Sequence, residues 1–283
     1  MLTEGAKYEN KETIIVERGE IKMAQKKGFE LLKEKVREFR SPLKMAGIVA
    51  IGLLIFLGII TFFWWFDGLV WYGALISQLI VALVCSAFSY GHMKNAGKYR
   101  KKYGKLAYRY LFFRFIILML VTGNACVFHP LIVGGPALLP LWLAIIFGTF
   151  LIFMRFLLEW HIHRSGFDEI GHGLGIYMVS PEEGGRISSD IYSYIRHPMF
   201  AGDLCLALGF ALLRNNLLAV FTALISFIPF LAEVRLEDEE LVKRFGEEHK
   251  RYIRETPAIF PHLRDIGKFI RFLFSKGRKT DEQ

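Results

Sequence analysis

Long apolar runs separated by polar segments dominate this chain. Four runs have about the twenty residues that a membrane-spanning helix needs, and they cover residues 43–66, 69–91, 110–128 and 137–158. A fifth apolar stretch, 199–232, is interrupted by Arg214-Asn215-Asn216, which would be costly at the bilayer centre. The interruption predicts a hairpin of two short helices, 199–213 and 217–232. The pattern therefore predicts an all-α fold, a polytopic membrane helix bundle with about six transmembrane segments that include a short C-terminal helical hairpin.

Amphipathic segments flank the apolar runs. Residues 20–40 place four apolar side chains on one helical face, namely Phe29, Leu32, Val36 and Phe39. Near the other end, apolar residues 269–274 precede a basic stretch. Both patterns suit helices on the cytoplasmic membrane surface, or helices packed on the protein body. We expect three parts: a cytoplasmic or interfacial N-terminal helix in 1–42, a four-span membrane domain in 43–158, and a cytosol-facing region in 159–283 that includes the hairpin 199–232.

Composition and charge support the membrane interpretation and give it an orientation. Hydrophobic residues make up 53% of the chain, which excludes a disordered protein. The three cysteines are isolated within apolar runs, which excludes a disulfide scaffold. Of the 36 Lys and Arg residues, 32 lie in segments that a six-span topology places on one side, namely 1–42, 92–109, 159–198 and 233–283. The positive-inside rule therefore places both termini in the cytoplasm and attributes the net charge of +9 to topology and lipid, not nucleic acid.

Polar chemistry concentrates beside the predicted hairpin, which argues against a transporter with ionisable groups along its spans. The segment before the hairpin contains Tyr192 and Tyr194 and then Arg196-His197-Pro198. Pro198 suits the first position of a helix, and a helix start beside an arginine can bind a carboxylate or phosphate. Gly202 allows a close approach to the first turn. The simpler alternative is an ordinary helix start with a topogenic arginine.

An acidic segment follows the hairpin, and the second hairpin arm is expected to run straight into it as one helix that stops near Pro257. Glu233, Glu237 and Glu240 share one helical face and repel one another, so a cationic partner is expected. Local candidates for that partner are Arg235, Lys243 and Arg244. A bound ammonium or sulfonium group is the functional alternative. Because one down-and-back hairpin separates His197 from Glu237, the two segments should lie side by side and bind a zwitterion with an extra cationic centre, such as S-adenosylmethionine.

These two motifs resemble those of a membrane methyltransferase superfamily, the isoprenylcysteine carboxyl methyltransferases and phospholipid N-methyltransferases. The family pattern is Arg-His-Pro-x-Tyr-x-Gly and, one hairpin later, Glu-Glu-x-x-Leu-x-x-x-Phe-Gly-x-x-Tyr-x-x-Tyr. Over residues 185–262 this chain has corresponding residues at Arg196-His197-Pro198, Phe200, Gly202, Glu237-Asp238, Leu241, Phe245-Gly246, His249 and Tyr252. Phe200 and His249 stand where the family usually has Tyr, and Asp238 replaces the second Glu.

The resemblance implies an integral membrane S-adenosylmethionine-dependent methyltransferase, for example a protein-S-isoprenylcysteine O-methyltransferase, with S-adenosylhomocysteine as product. The acceptor would be lipophilic, a prenylated cysteine or a lipid, and residues 159–283 would be the catalytic region. The protein would occupy the cell membrane of a prokaryote or the endoplasmic reticulum of a eukaryote. Its oligomeric state is unknown.

The resemblance also implies roles for individual residues. Arg196 and the adjacent backbone N–H groups, with Pro198 and Gly202 in the same turn, would hold the cofactor carboxylate. Glu237, with Asp238, would meet the cofactor amino group or ribose. Tyr192 and Tyr194 would pack the adenine or the sulfonium. Two further roles concern the acceptor: His197 or His249 would act as a base for an amine or thiol, and Arg235 would steer an anionic group.

Three alternatives remain at this point. The first is an NADPH-dependent membrane reductase of the sterol-reductase type, whose carboxy-terminal fold is similar. The second is a non-enzymatic transport or structural protein. The third is a membrane di-iron enzyme, but the nearby histidines, His161, His163 and His172, are too few for such a site. We therefore predict no metal site.

Overall fold

The computed structural model describes residues 29–167, 173–175, 178–179 and 187–275. The structure is 84% helical, and its described part contains no strand, which confirms the predicted all-α class. Four helical stretches are long and apolar enough to cross a membrane, namely Pro42–Asp67, Gly73–Leu131, Leu141–Arg164 and Leu217–Phe245. The chain is an integral membrane protein.

The helices follow one another with short connections. In chain order they are α1 (29–35), α2 (Pro42–Asp67), α3 (Gly73–Tyr103), α4 (Ala107–Leu111), α5 (Ile117–Phe128), α6 (Leu141–Arg164), α7 (Pro198–Arg214), α8 (Leu217–Ile225), α9 (Phe227–Phe245), α10 (Glu247–Glu255) and α11 (Ile266–Phe274). A π-helical turn, Phe112–Ile116, joins α4 to α5. Helix α3 continues twelve residues beyond the predicted 69–91, because the Lys-rich and Arg-rich stretch after the apolar run also forms helix well.

The stretch Gly73–Leu131 is an antiparallel hairpin that contains the second and third predicted segments. Early in α3, Nε2 of Gln78 donates to the carbonyl of Cys126 at 3.0 Å. Two turns later in α3, Cys85 reaches the carbonyl of Met119. Contacts that advance along α3 and recede along α5 define antiparallel packing. The direction reverses at Gly104, which has a φ of +51° that glycine adopts without strain.

A buried polar network joins the end of α2, the start of α3 and the segment that follows α5. The ring of His129 is fully buried, with Nδ1 2.7 Å from Oε1 of Gln78 and Nε2 2.8 Å from Oδ2 of Asp67. The hydroxyl of Ser77 donates to Asp67 at 2.6 Å. The ring of Phe63 stacks on His129 with 3.7 Å between centroids. These contacts fix the relative positions of three helices.

Helices α6 and α7 pack closely and antiparallel because glycines face each other. A Cβ placed on Gly209 would lie 2.8 Å from Cγ1 of Ile152 and 3.0 Å from the carbonyl oxygen of Gly148. The backbones therefore meet without intervening side chains. This contact holds α7, which begins at the motif residue Pro198, against a long apolar helix.

The predicted hairpin is present, with the expected turn. Helix α7 ends at Arg214, Asn215 adopts a left-handed φ of +58°, and the side chain of Asn216 accepts from the amide of Ala219 at 2.8 Å to cap α8. Because α7 has 17 residues, it is not among the four long candidates, and the six-span topology stays a prediction.

Two predicted details of the helices differ from the structure. We expected the second hairpin arm to continue as one helix to near Pro257, which is wrong: α9 ends at Phe245 and α10 starts afresh at Glu247. Gly246 lies between them with a φ of +60°, which a continuous helix does not allow. The predicted amphipathic helix 20–40 lies partly outside the described residues. Its described part buries Leu32 and Val36 against other apolar residues of the body.

Candidate functional site

The start of α7 is held by the segment that follows α10. The amide of Arg196 donates to the carbonyl of Pro257 at 2.9 Å, and the amide of His197 donates to that of Ala258 at 2.8 Å. Pro198 then begins α7 and has no N–H to satisfy. By helix geometry, the next two amides, those of Met199 and Phe200, have no intrahelical acceptor. The helix start therefore has amide donors that an anionic group can use.

Arg196 joins α7 to α9 and α10. Its Nη2 lies 2.6 Å from Oδ2 of Asp238, and its Nε lies 3.4 Å from Oδ1 of the same carboxylate. Its Nη1 donates to the carbonyls of Ile253, at 3.2 Å, and Thr256. The guanidinium is largely buried, and Asp238 matches its charge. Arg196 thus lies at the predicted site, but its polar atoms are used for internal contacts.

His197 lies between two carboxylates. Its Nδ1 is 3.3 Å from Oε2 of Glu237, and its Nε2 is 3.4 Å from Oδ1 of Asp238. A ring with an acceptor at each nitrogen requires two protons, so the geometry favours the imidazolium. Burial lowers the pKa of His197, but the charges of Glu237 and Asp238 and their hydrogen bonds outweigh it and raise the pKa to about 9.

Asp238 is the centre of the site. Besides Arg196 and His197 it contacts His249 of α10, whose Nε2 lies 3.3 Å from Oδ1. Burial raises the pKa of Asp238, but hydrogen bonds from His197 and Arg196 and their positive charges lower it well below its usual range. Asp238 lies beyond the apolar part of its helical stretch, which ends at Ala232. The hydrogen bonds and positive charges of Arg196 and His197 therefore favour the ionised carboxylate.

These groups line one cleft between α7 and α9. Its lining residues are Phe167, Ile187, Tyr192, Arg196, His197, Pro198, Met199, Phe200, Glu237, Asp238, Leu241, His249 and Tyr252. The apolar side chains of this lining, called the apolar wall below, share the cleft with the charged side chains of Arg196, His197, Glu237 and Asp238. The hydroxyl of Tyr252 donates to the carbonyl of Tyr192 at 2.5 Å, which fixes the aromatic end of the cleft. The side chain of Glu237 is 38% exposed and is the accessible carboxylate of the site.

The structure does not bring every predicted site residue to the cleft. Tyr194 packs against Phe269 and Phe272 of α11, with ring centroids 5.6 and 5.1 Å away. Gly202 faces α6, where an added Cβ would lie 2.8 Å from Cδ of Arg155. The close approach that this glycine permits is therefore that of a neighbouring helix.

Arg235 lies on the outside of α9. Its side chain is 83% exposed and contacts Glu239 one turn later at 3.2 Å. It is absent from the residues that line the cleft. The predicted role of Arg235 in steering an acceptor stays a prediction, and the structure gives it no contact with the other predicted site residues that would support the role.

Sequence reasoning missed two features of the site. The apolar wall includes Phe167, Ile187 and Met199, which carry no signal that separates them from ordinary packing residues. A second ionic cluster lies on α6 and α7, where Arg155 contacts Glu159 and lies 3.4 Å from Asp203. The spacing of Arg155 and Glu159, one helical turn, was the available signal.

The described residues contain no group of three or more His, Cys, Asp or Glu side chains that could hold a metal ion. Nε2 of His161 is 3.0 Å from the carbonyl of Leu273, and His163 lies 3.1 Å from Glu159. His172 lies outside the described residues.

Comparison with known proteins finds a family match over this region. Residues 143–248 match the model of the phospholipid methyltransferase family, and this range contains α7, α9 and the Arg196, His197 and Asp238 contacts. Over this region the chain is similar to the isoprenylcysteine and phospholipid methyltransferase superfamily. The resemblance predicted from the two motifs is confirmed.

Two curated relatives are similar to parts of the chain. The cobalt-zinc-cadmium resistance protein CzcN of Cupriavidus metallidurans is 30% identical over 89 residues, which is 31% of this chain and 41% of that protein. The protein-S-isoprenylcysteine O-methyltransferase of Schizosaccharomyces pombe is 29% identical over 76 residues, or 26% of this chain and 32% of that protein. The chain thus matches less than half the length of either relative. No solved structure matches the chain.

Proposed function

We propose that this protein is a membrane methyltransferase that takes its methyl group from S-adenosylmethionine and transfers it to a lipophilic acceptor at the membrane–cytosol boundary. One observation carries the proposal: Met199 and Phe200, whose backbone amides lack intrahelical acceptors, line the same cleft as the accessible carboxylate of Glu237. The match of residues 143–248 to the phospholipid methyltransferase family supports the reaction type.

The cleft residues fit the charges of this donor. Glu237 would meet the amino group or the sulfonium, because its carboxylate is the more exposed of the two acidic groups of the motif. The cofactor carboxylate would lie at the amides of Met199 and Phe200, near the imidazolium of His197. Arg196 and Asp238 would act mainly by holding α7 against α9. When bound, S-adenosylmethionine supplies an electrophilic methyl group.

The aromatic and apolar residues would exclude water and orient the reactants. Tyr192 faces the cleft and is available to pack the adenine or the sulfonium. The apolar wall, with Phe200 and Leu241, suits a lipophilic acceptor. Methyl transfer is a displacement that depends mainly on alignment and exclusion of water.

The protonation of His197 favours one acceptor class. An imidazolium held between two carboxylates has no free lone pair, so His197 is a poor base while those contacts persist. A carboxylate acceptor, such as that of a prenylated cysteine, needs no base for methylation. A lipid amine or a thiol would need another base, for which His249 is the nearest candidate.

The topology that accompanies this proposal places both termini and the catalytic region 159–283 in the cytoplasm. Such a placement gives the cleft access to a soluble donor and to an acceptor held in the bilayer.

Binding of the donor tests the proposal. Protein in lipid nanodiscs is titrated with S-adenosylmethionine by calorimetry, and Glu237→Gln is compared with Glu239→Gln, a change on the outer face of the same helix. We expect saturable binding that Glu237→Gln weakens by roughly tenfold or more, as for loss of one charged hydrogen bond, and that Glu239→Gln leaves unchanged. If the wild-type protein and both variants bind S-adenosylmethionine with equal affinity, Glu237 does not contact the cofactor. Binding of NADPH in place of S-adenosylmethionine would favour the reductase alternative.

Transfer to a panel of acceptors tests the reaction. Protein supplied with methyl-labelled S-adenosylmethionine is incubated with prenylcysteine analogues and with phospholipids. We expect labelled product from a prenylcysteine analogue whose carboxyl group is free and none from its methyl ester. Label in a phospholipid amine instead would identify the lipid as the acceptor class.

A further inference from the structure

Helix α11 has three distinct faces. Phe269 and Leu273 point into the body, and Leu273 is almost fully buried. Apolar side chains on a second face, one helical turn apart, are 39, 50 and 58% exposed: Ile266, Ile270 and Phe274. The third face carries Lys268 and Arg271, both exposed. A helix that needs only to pack on a soluble surface has no reason to present a second apolar face.

The chain that leads into α11 continues the exposed apolar stripe. Leu263 is 88% exposed and Phe260 is 61% exposed. Arg264 follows Leu263, and its charge is partly offset by Asp265, which lies 3.3 Å from both Arg264 and Lys268. The surface has an apolar centre and a basic border.

Contacts with spanning helices place this surface at the level where those helices leave the membrane. The ring of Phe260 lies 6.4 Å from that of Phe227, which belongs to the apolar hairpin arm. Within α11, the carbonyl of Leu273 lies 3.0 Å from Nε2 of His161, just beyond the predicted end of the fourth apolar run at 158. Both contacts therefore lie within about five residues of the predicted end of an apolar run, at 232 and at 158.

An exposed tryptophan lies just beyond the predicted end of the fourth apolar run, at 158. Trp160 of α6 is 45% exposed, and the guanidinium of Arg164 lies 4.6 Å from its ring. Exposed Trp beside Arg is typical of the membrane–water interface. It adjoins His161, which contacts α11.

We propose that α11, with Phe260 and Leu263, lies in the plane of the membrane and docks on anionic lipid headgroups. The stripe of Ile266, Ile270 and Phe274 enters the boundary of the acyl chains, and Lys268 and Arg271 reach the lipid phosphates. An amphipathic helix with an apolar face beside basic residues binds a membrane surface in this way. The proposal does not depend on the proposed enzyme activity.

Depth-dependent quenching tests the docking. Cys85 and Cys126 are buried, so a Cys205→Ala background allows selective labelling. An environment-sensitive fluorophore is attached in Ile270→Cys and, as a matched control on the opposite face, in Lys268→Cys. In nanodiscs we expect lipid-borne nitroxide to quench the label at 270 and aqueous iodide to quench the label at 268. Equal iodide quenching at both positions would overturn the proposal. Shielding of position 270 from both quenchers, with energy transfer between labelled copies, would overturn it in favour of a second copy of the chain.

A comparison of two lipid compositions tests whether α11 binds anionic headgroups. The label at 270 is compared in discs of phosphatidylcholine alone and of phosphatidylcholine mixed with phosphatidylglycerol. We expect the ratio of shielded to accessible label to rise in the mixture, by roughly fivefold for each basic residue that contributes. The Lys268→Gln, Arg271→Gln variant should lose that rise while it still elutes as a single species. If the ratio of shielded to accessible label in the unaltered helix is the same in both kinds of disc, the headgroup contact is refuted.

Discussion

His249 and Asp238 are in direct contact, with Nε2 of the histidine 3.3 Å from Oδ1 of the aspartate. Both residues depart from the superfamily pattern described above, which usually has Tyr at the first position and Glu at the second. The two departures therefore lie at one point of the cleft. A shorter carboxylate and a shorter side chain from α10 meet where a longer carboxylate and a tyrosine stand in the pattern.

This contact predicts that the two positions are energetically coupled. We expect Asp238→Glu and His249→Tyr each to reduce thermal stability, and the double variant to recover part of the loss. Residues in contact have interaction energies of about 0.5–3 kcal/mol, which a double-mutant cycle of unfolding free energies in detergent measures. Strictly additive effects of the two substitutions would show that the positions are independent.

Arg196 is predicted to be a structural brace of the site. Arg196→Ala leaves Asp238 without its main cationic partner and removes the donor to the carbonyls of Ile253 and Thr256, so we expect a loss of about 3–5 kcal/mol in unfolding free energy. Arg196→Lys should cost less, because an ammonium keeps the charge but not the forked geometry. Denaturant titration of the purified protein measures both.

Arg235→Ala is the matched control for that experiment. Arg235 is on the neighbouring helix but is 83% exposed, and we expect its loss to change stability by less than about 1 kcal/mol. If Arg196→Ala and Arg235→Ala have the same effect, the contacts of Arg196 do not hold the cleft together.

The raised pKa of His197 predicts a pH dependence of stability. A histidine protonates near pH 6.5 when unfolded, and the pKa of His197 in the folded protein is about 9. Its contribution is therefore complete below about pH 6.5, decreases as the pH rises, and is lost as the pH passes about 9. Thermal melts between these values should show stability falling more steeply in the wild-type protein than in His197→Gln. Parallel pH profiles would show that His197 is not protonated in the fold.

The packing of α6 on α7 predicts a strict requirement for glycine at 209. An added Cβ would be 3.0 Å from a backbone oxygen, which cannot move aside like a side chain. We expect Gly209→Ala to destabilise the protein by about 1–3 kcal/mol. Gly58→Ala is the control, because a Cβ on Gly58 of α2 meets nothing within 4 Å. Thermal unfolding in the same detergent compares the two, and an equal effect would contradict the close contact.

The proximity of the two motifs could be predicted from the sequence because a single hairpin of two helices connects them. The Asn215-Asn216 turn and the two apolar arms are local features, and a hairpin necessarily returns the chain to the level at which it started. The proximity of His197 to Glu237 follows from that geometry alone. The break at Gly246 was available in the sequence too, but Lys and Glu on both sides form helix so readily that the pattern indicated one continuous helix.

The positions of Tyr194 and Arg235 could not be predicted in the same way. Tyr194 is two residues from Tyr192, and nothing local separates a residue that faces the cleft from one that packs on α11. The direction of a side chain depends on which distant helix fills the space beside it.

The sequence by itself determined the membrane location, the helical class, the hairpin and the resemblance to a methyltransferase superfamily, because hydrophobic run length, charge distribution and motif spacing are local properties with direct physical consequences. Only the tertiary structure decided which charges satisfy one another. Arg196 pairs with Asp238 across 42 positions, and His129 pairs with Asp67 across 62. Such pairs form because burial makes an unmatched charge costly, and the identity of the partner depends on which helices pack together.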